Sequence, residues 1–479
     1  MSEVTTIFLR SLIKSAEDFL GKPVNGAVIS VPSIFTDTQR IALEKAATDA
    51  GITVFQLLDE AAAAAAATTT IPSRNSEGQM HDRTQLIVDF GISSVSLALL
   101  SIREGLAYVL ASSNTTSVAA ERIDQELVKF FSVDFTKKTK VPLVVCPAPT
   151  SSLTDQRAEA KLRLAIEHTK RTISASPGAA TCSVESLKEG MDYTGSINRM
   201  RFDMLASRVY TAVAKEIISL LSSSAVDPHD VDEIVYVGGT SSLPGLDERL
   251  QLEVGFREDV ETPYARGTVV GGGVGDPTTI LARGCAMQAV LLNSLGGTRE
   301  DDELKAAFES GSRAAEVKAL TKTIGILFPD DLGEHKEVGG TWIPIVQKET
   351  PLPARRIVSF EAGLTESSKR IAFEVWEVKE GIRIEKAVPP NLGHGDDDEE
   401  EEPDEIETKH RTVKKETLLG VIDTTAKLGI PTKGKSSNAG KWFTHLEVQI
   451  IVGFDGDVQV ELREVGEGGV VETLRVPAL

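Results

Sequence analysis

Apolar and polar positions along the first 295 residues predict strands that alternate with helices. Residues 24–31 are typical of a buried strand, and residues 36–50 of a helix that ends at Gly51. The alanine run 61–67 is a strong helix former. The other predicted elements are strands at 52–60, 108–113 and 234–239, two strands within 85–100 joined near Gly91, and helices at 119–131, 154–174 and 203–224. This alternation predicts an α/β domain over 1–295.

The pattern changes after residue 295. Residues 296–322 are polar and charged, which indicates a linker with a short helix. Short alternating segments then predict strands at 323–328, 341–347, 355–362, 369–378, 445–454 and 458–465, with Asp455-Gly456 as a hairpin turn between the last two. We therefore expect a β-sandwich domain over 323–479. Its aromatic residues at strand positions, expected in the core, are Trp342, Phe360, Phe373 and Trp376.

The chain is strongly acidic, and part of its negative charge is concentrated in one segment. The net charge is −20, and residues 396–407 contribute ten carboxylates and no base. Such a run, within a loop at 391–408, is typical of a solvated, disordered segment; a docking site for a basic partner is the alternative. Affinity for nucleic acid depends on Lys and Arg, and the sequence has no basic stripe with interleaved aromatics. We expect no direct binding to nucleic acid.

The three cysteines, Cys146, Cys182 and Cys285, are far apart and form no CxxC pair. This spacing argues against a disulfide framework or a zinc site and favours a reducing compartment. The first 21 residues place apolar residues at helical spacing among charged ones, unlike a signal peptide. No apolar run is long enough to span a bilayer. The sequence predicts a cytoplasmic protein, with a nuclear location as the alternative.

Six stretches in order resemble the nucleotide-binding domain of heat-shock protein 70 (DnaK-type) chaperones. They are VPSIFTDTQRIALEKAATDAGI (31–52), DFGISSVSLALL (89–100), EHTKRTISAS (167–176), LKEGMDYTGSINRMRF (187–202), IVYVGGTSSLPGL (234–246) and PTTILARGCAMQA (277–289). The later strands resemble that family's substrate-binding β-domain. The resemblance implies an actin-like α/β fold that is N-terminally incomplete, because the family's first phosphate hairpin and its lysine come earlier. It also implies a β-domain without the helical lid.

The phosphate side departs from the family pattern. Where the family has DLGGGT, this chain has Asp89-Phe90-Gly91 followed by Ile92. Glycines allow positive φ and bring amides close to phosphate, whereas positive φ is an outlier for a β-branched residue. The next family aspartate is Ser96 here. The resemblance therefore implies no catalytic residues and no ATP hydrolysis; Asp89 and Glu60 could hold Mg²⁺ through water or be ordinary polar residues at strand ends.

The adenosine side is better preserved. The positions that match the family's nucleotide-contacting residues are Glu167, Lys170, Arg171, Ser174, Gly238, Gly239 and Thr240, with Asp89 and Gly91 on the phosphate side. The first four share one helical face by their spacing, which alone would favour a solvated charged face; the resemblance around them favours a nucleotide-contacting face instead. Ser242 replaces the family's base-stacking arginine, and Thr278 replaces an aspartate. The resemblance implies ATP that is bound, weakly, and not hydrolysed.

Interdomain signalling also differs from the family. Pro32 and Arg40 match the family's relay, but the charged segment 296–322 replaces its leucine linker. Within the family, the chain resembles the fungal Ssz-type branch in the run TGSINRMRF and the acidic loop. That resemblance implies a heterodimer with the J-domain protein zuotin, ribosome association through that partner, and action on nascent polypeptides together with a catalytically competent heat-shock protein 70.

Three other functions are alternatives to a protein-binding subunit. The first is a divergent but active ATP-dependent chaperone, whose missing N-terminal segment would be an artefact of the gene prediction. A sugar kinase of the same actin-like fold fits poorly, because the C-terminal part is a β-module. A large nucleotide-exchange factor would keep the phosphate loop and carry a long helical lid. A protein-binding subunit therefore remains the leading hypothesis.

Overall fold

A computed structural model of the chain describes residues 2–69, 82–103, 106–175, 178–262, 276–296, 298–308, 317–329, 338–364, 369–387, 406–431 and 442–478. The chain divides into two compact units, Met1–Glu316 and Val317–Leu479. Most of the acidic run 396–407 lies outside the described residues. Within those residues, no helix combines the length and the apolar character that crossing a membrane requires.

Unit 1 contains strands and helices in alternation. The strands are β1 (Ala27–Val31), β2 (Val54–Asp59), β3 (Arg83–Phe90), β4 (Val95–Arg103), β5 (Leu106–Thr115), β6 (Ala179–Lys188), β7 (Met191–Asn198) and β8 (Glu233–Val237). The helices are α1 (Ser2–Leu20), α2 (Asp37–Asp49), α3 (Glu60–Thr69), α4 (Glu121–Thr139), α5 (Leu153–Ala175), α6 (Arg199–Ser223), α7 (Leu246–Val254), α8 (Ile280–Ser294) and α9 (Arg299–Ala307). The mixed α/β content agrees with the sequence-based expectation.

The main sheet of unit 1 has the strand order β5-β4-β3-β8, with β3 antiparallel to β4 and parallel to β8. Because successive side chains of a strand point to opposite faces, β3 contributes side chains to two apolar clusters. Leu86 and Val88 join the cluster formed with α4, α5 and α6, whereas Ile87 joins the cluster with α3 and α8. The apolar run of β3 is therefore buried on both faces, as expected for a strand covered by helices.

Helices α3 and α8 cross at an unusually small distance. A Cβ added at Gly284 of α8 would lie 1.7 Å from the carbonyl oxygen of Ala63 in α3. The alanine run of α3 and this glycine leave no side chain between the two backbones. The run 61–67, which from sequence is only a helix former, is thus also the smooth surface that α8 packs against.

The first elements form a smaller layer. Strands β1 and β2 make a two-stranded parallel sheet, and α1 packs on α2 through a hydrogen bond from Arg10 to the Asp49 carbonyl (2.9 Å). Thr36 caps α2 with a capping box to Gln39. The apolar residues of α1 do not act as one buried face. Leu9, Ile13 and Ala16 are half-buried, whereas Leu12, Phe19 and Leu20 are exposed.

Three predicted boundaries in unit 1 were wrong, and helix α8 and one hairpin were missed. Helix α4 continues past residue 131 to Thr139, because Phe135 extends the buried stripe and Lys140 ends the helix with φ of 66°. Helix α6 begins at Arg199 rather than 203, since Asn198 caps it through the Arg201 amide. Strand β5 runs longer at both ends, over Leu106–Thr115. The missed hairpin is β6–β7.

Unit 2 consists of two antiparallel sheets. Its strands are β9 (Thr323–Pro329), β10 (Gly340–Val346), β11 (Ala354–Leu364), β12 (Arg370–Ala387), β13 (Ile406–Thr425), β14 (Ile430–Pro431), β15 (Trp442–Val452), β16 (Val458–Glu464) and β17 (Val471–Val476). The sheet orders are β10-β9-β12-β13 and β11-β15-β16-β17, with β14 paired to β15. One apolar cluster takes buried side chains from both sheets, so the expected β-sandwich packing is present.

The sequence identified six of the strands of unit 2 and missed β13, β14 and β17. Asp455-Gly456 forms the expected turn between β15 and β16, with Gly456 at φ of 90°. Trp342 and Phe373 are buried, and Phe360 and Trp376 pack against the apolar clusters. The aromatic residues were therefore correctly interpreted as core.

Candidate functional site

Asp89 and Gly238 lie side by side at the carboxyl ends of the parallel strands β3 and β8. Asp89 pairs in register with Val237, the residue before Gly238. Gly238 adopts φ of 87°, and a Cβ added to it would lie 3.6 Å from Asp89 Oδ1. Ligands of open α/β sheets commonly bind at this edge, outside the carboxyl ends of the strands. The structure thus places two of the expected nucleotide-binding residues together.

Asp89 shares a small cavity with Glu60, the first residue of α3. The cavity has a volume of about 130 Å³, and its polar lining comes from Ser33, Asp59, Glu60, Asp89, Ser96 and Ser112. Burial, followed by the charge of Glu60, raises the pKa of Asp89 to about 7. Burial and then the charge of Asp59 raise the pKa of Glu60 as well. Two half-buried carboxylates that line one small cavity favour either a bound proton or a cation between them.

Ser96 occupies the position across from Asp89 on strand β4. The next strand places Asn114 beside it, and the Asn114 side-chain amide donates a hydrogen bond to Ser96 Oγ. The resemblance expects an aspartate at position 96. A neutral, hydrogen-bonded pair therefore stands where a third carboxylate would contribute to binding hydrated Mg²⁺.

The turn from Gly91 to Ser94 is tied to its own backbone and to α4. The Gly91 amide donates to the Ser94 carbonyl (2.9 Å), so it is already engaged. The carbonyls of Gly91 and Ile92 accept hydrogen bonds from the amides of Ala120 (3.2 Å) and Glu121 (2.9 Å). Ile92 is not among the described residues with positive φ. The turn thus caps α4 without the left-handed backbone that glycines would allow here.

The expected adenosine-contacting face of α5 is built from ion pairs. Lys170 Nζ lies 2.8 Å from Asp124 Oδ1 on α4 and 3.0 Å from Glu167 Oε2, and its side chain is 13% exposed. Arg171 also pairs with Glu167, at 3.3 Å, but remains in solvent. Ser174 is half-buried one turn further on. A base entering this face would have to share or displace the Asp124–Lys170 pair.

The second expected adenosine loop packs on the segment before α8. The Gly238 amide donates to the Pro277 carbonyl (3.0 Å), and a Cβ at Gly239 would lie 3.6 Å from the Thr278 methyl group. Thr240 accepts the Leu243 amide through its carbonyl (3.0 Å). Asp276 holds Thr278 by accepting hydrogen bonds from its amide (2.8 Å) and hydroxyl (2.6 Å). These contacts fix a small-residue loop beside Asp89.

Helix α4 connects the two parts of the expected site. Its first turn binds the Gly91–Ile92 carbonyls, and Asp124, one turn later, binds Lys170 of α5. The sequence did not single out Asp124. The sequence showed only that Asp124 is a carboxylate inside the predicted helix 119–131. Its partner, Lys170, lies on another helix, and residue spacing does not reveal such a pair.

The residues expected to form the interdomain relay, Pro32 and Arg40, lie near Asp59. Asp59 in turn connects them to the carboxylates of Glu60 and Asp89. Arg40 donates to Asp59 Oδ1 (2.5 Å) and, through Nε, to the Phe35 carbonyl (3.3 Å). The Pro32 carbonyl accepts the Phe35 amide at 3.0 Å, so the turn after β1 holds this arrangement. Asp59 is covalently adjacent to Glu60, which acts on Asp89. Asp59 was missed from sequence, although it directly precedes Glu60 at a strand end.

The residues fit a nucleotide and a metal only in part. Drug-sized ligand pockets have volumes of about 300–1,000 Å³, so the cavity of about 130 Å³ beside Asp89 would hold a hydrated ion rather than a nucleotide. Across the described ranges, no three His, Cys, Asp or Glu side chains come together as a metal-ligand group. Asp89 and Glu60 are the pair that could hold hydrated Mg²⁺ by water-mediated contacts.

Sequence comparisons with known proteins give one matching family and several relatives. The sequence profile of the Hsp70 protein family matches residues 1–304. The chain is 32% identical to a heat shock protein 70 homolog of Schizosaccharomyces pombe over 88% of this chain and 68% of that protein. It is 26% identical to the ribosome-associated complex subunit SSZ1 of Saccharomyces cerevisiae over 98% of this chain and 78% of that protein. Heat shock cognate 70 kDa protein 3 of Dictyostelium discoideum is 29% identical over 78% of this chain and 52% of its own length.

Proposed function

The chain belongs to the Hsp70 protein family, and from that premise we propose that it is a chaperone subunit that binds ATP without hydrolysing it. In this proposal it forms a heterodimer with a J-domain protein of the zuotin type. The heterodimer associates with ribosomes through that partner and assists nascent chains together with a catalytically competent Hsp70. The function of this chain is thus to bind proteins, and turnover belongs to the other chaperone.

The turn at Gly91–Ser94 is the main observation that supports ATP binding without hydrolysis. Its first amide is bonded to Ser94, and its carbonyls cap α4. Removing one preorganised donor to developing charge typically lowers the rate by about 10²–10³. Replacement of a carboxylate by Ser96 adds to that loss, because Ser96 contacts Asn114 and brings no charge. Two such losses would bring a slow ATPase close to the uncatalysed rate.

Nucleotide binding is supported by different residues. Gly238 and Gly239 leave their loop without side chains beside Asp89 and Thr278. Lys170 is held in place by Asp124 and Glu167, which gives α5 a fixed polar face. Members of this family bind ATP. A bound nucleotide would stabilise the fold by mass action even if it were never cleaved.

The partner is supported by similarity and by charge. The similarity to the yeast ribosome-associated complex subunit extends over 98% of this chain. The net charge of −20 opposes direct contact with ribosomal RNA, because phosphate binding depends on Lys and Arg. A basic partner between this chain and the ribosome would resolve that repulsion.

A divergent, active ATPase is the second candidate. It is favoured by one observation: Asp89 and Glu60 share a cavity and hold their charges close together, as a metal site requires. Restoring the family residues by Ile92→Gly and Ser96→Asp separates the two candidates. If the native turn is inactive, hydrolysis by the double variant should exceed that of the wild type. If the native turn is already active, the substitutions should leave the rate unchanged or lower it.

Affinity capture of the full-length chain from extracts of its source organism tests the partner. We expect a J-domain protein at equal stoichiometry, with ribosomes that are lost when that J-domain protein is depleted. Ribosomes that remain bound after its depletion would contradict the proposed route of association. Capture of neither would contradict the proposal itself.

A further inference from the structure

Helices α6 and α7 expose large apolar side chains that nothing in the described residues covers. Met200 is 74% exposed, Met204 is 60% exposed, and Leu252 of α7 is 76% exposed. They line an open groove of about 780 Å³ between the two helices. Single exposed apolar residues are ordinary, whereas a contiguous group around a groove marks an interaction site.

The other side of α6 carries positive charge. A groove of about 510 Å³ between α4 and α6 is lined by the cations Arg122, Lys129, Arg201 and Arg208 and by one carboxylate, Glu126. Lys129 is neutralised by Glu126 at 2.8 Å. In a chain with a net charge of −20, this is a local reversal of sign. The sequence could not reveal it, because the cations come from two helices that are far apart along the chain.

The three arginines of this groove are available to a ligand. Within the part of the chain that the structure describes, no carboxylate forms an ion pair with Arg122, Arg201 or Arg208. Arg201 is held over the Phe130 ring at 5.6 Å, which orients it at the groove. Guanidinium groups in such positions match carboxylates by paired hydrogen bonds.

Met204 lines both grooves, so the apolar and the positive regions form one surface. We call it the α6 surface and define it by Arg122, Arg201, Arg208, Met200, Met204 and Leu252. These residues are distinct from those of the candidate nucleotide site. Methionine side chains adapt their shape, which suits a surface that accepts a helix of another protein.

We propose that the α6 surface binds an acidic amphipathic helix of a partner protein. The apolar face of that helix would pack on Met200, Met204 and Leu252, and its carboxylates would pair with the arginines. Nucleic acid is a poorer occupant, because a phosphate backbone leaves the apolar half unused. The net charge of the chain also repels a long polyanion. This inference goes beyond the proposed function and holds whether or not ATP is hydrolysed.

Fluorescence anisotropy with the full-length chain tests the proposal. The probe is a labelled helical peptide of about 20 residues, with Leu at helical spacing and Glu at the remaining positions. A peptide of the same composition in scrambled order reports non-specific charge attraction. A labelled single-stranded RNA of similar length reports polyanion binding. We expect the amphipathic peptide to bind at least about tenfold more tightly than either of the others.

Two variants locate the binding. Arg201→Glu/Arg208→Glu reverses two charges of the α6 surface and should weaken peptide binding by at least about tenfold. Lys215→Glu makes the same kind of change on an exposed position of the same helix outside both grooves and should leave affinity unchanged. Met204→Ala changes no charge and should also weaken binding, whereas charge attraction alone would predict no change. Thermal melting of each variant shows whether it is folded.

The outcomes are decisive in each case. The proposal is supported if the peptide binds the wild type and the Lys215→Glu variant but not the Arg201→Glu/Arg208→Glu variant. Failure of the peptide to bind, or binding that is equal in all variants, overturns it. Preferred binding of RNA that depends on Arg201 and Arg208 also overturns it, because the surface would then recognise phosphate.

Discussion

Asp89 Oδ1 lies within van der Waals reach of the Gly238 backbone, since a Cβ at position 238 would be 3.6 Å away. The two residues come from strands that are adjacent in the sheet but about 150 positions apart in the chain. This contact joins the expected phosphate and adenosine sides of the site.

Gly238→Ala should destabilise unit 1 by about 1–2 kcal/mol, because alanine disfavours φ of 87°, whereas a methyl group 3.6 Å from Asp89 Oδ1 makes an ordinary contact. Gly51→Ala is the matched control. Gly51 has φ of 89° and nothing within 4 Å of an added Cβ, so it reports the backbone effect alone. Urea denaturation of both variants measures the difference. Similar losses are expected, and a much larger loss for Gly238→Ala would contradict the ordinary spacing beside Asp89.

The pKa of Asp89 predicts a pH dependence of stability. Its folded pKa of about 7 is above the ordinary value of 3.8, so the folded chain binds this proton more tightly than the unfolded chain does. Stability should therefore fall as the pH rises from about 4 to about 7, by up to about 4 kcal/mol from this group. Asp89→Asn should remove that part of the pH dependence.

Denaturation midpoints at several pH values check this prediction, with Asp455→Asn in an exposed turn as the control. The control should retain the wild-type pH profile. If Asp89→Asn retains it too, Asp89 is ionised throughout and its environment is more polar than burial beside Glu60 implies. Mg²⁺ should flatten the wild-type profile if it binds the carboxylate pair, because a cation favours the ionised form.

Gly284→Val should destabilise unit 1 strongly, by about 3 kcal/mol or more, because α3 and α8 would have to separate. A Cβ at this position would lie 1.7 Å from the Ala63 carbonyl oxygen. Ala286→Val changes an exposed position of the same helix and should alter stability by less than about 1 kcal/mol. Thermal melting distinguishes the two. A mild effect of Gly284→Val would contradict the close crossing.

Glu464 provides an independent test in unit 2. Burial would raise the pKa of its carboxyl, but hydrogen bonds from the Lys427 and Leu428 amides (both 2.8 Å) and the Thr444 hydroxyl (2.7 Å) outweigh burial and lower it. A lowered pKa means that stability is present above the unfolded pKa and is lost as the pH falls through the folded value. Glu464→Gln should reduce stability at pH 7 by about 2 kcal/mol.

The control for Glu464 is Glu472→Gln, at an exposed position of β17. Acid titration of unfolding should show a transition that the Glu464 variant lacks and the Glu472 variant keeps. Equal acid sensitivity in both variants would mean that the carboxylate of Glu464 contributes nothing specific. This test concerns unit 2 alone and gives no information on the candidate nucleotide site.

The sequence predicted the elements whose pattern is local. Strand β3 and helix α2 could be identified because an apolar run and a glycine at a helix end are short-range signals. Strand β13 was missed because its segment around Lys414 to Glu416 is charged, and its pairing with β12 is what makes it a strand. Hairpin β6–β7 was missed because its alternation relies on small residues such as Ala180 and Gly195.

Family resemblance proposed the residues of the candidate site, but their spacing in the sequence could not supply their tertiary contacts. The i, i+4 pair Glu167–Arg171 follows from helical periodicity, whereas the pairing of Lys170 with Asp124 requires two helices to pack. The raised pKa of Asp89 depends likewise on burial that no spacing shows. The incomplete N-terminus, the absent lid and the domain boundaries stay predictions.

A single-turnover experiment tests the central claim most directly. The full-length chain is mixed with Mg²⁺ and a limiting amount of γ-labelled ATP, with and without a J-domain protein, and the bound nucleotide is analysed over time. The account predicts that the chain retains intact ATP and releases phosphate no faster than a protein-free control, with or without the J-domain protein. Stoichiometric cleavage of the bound ATP, accelerated by the J-domain protein, would contradict it.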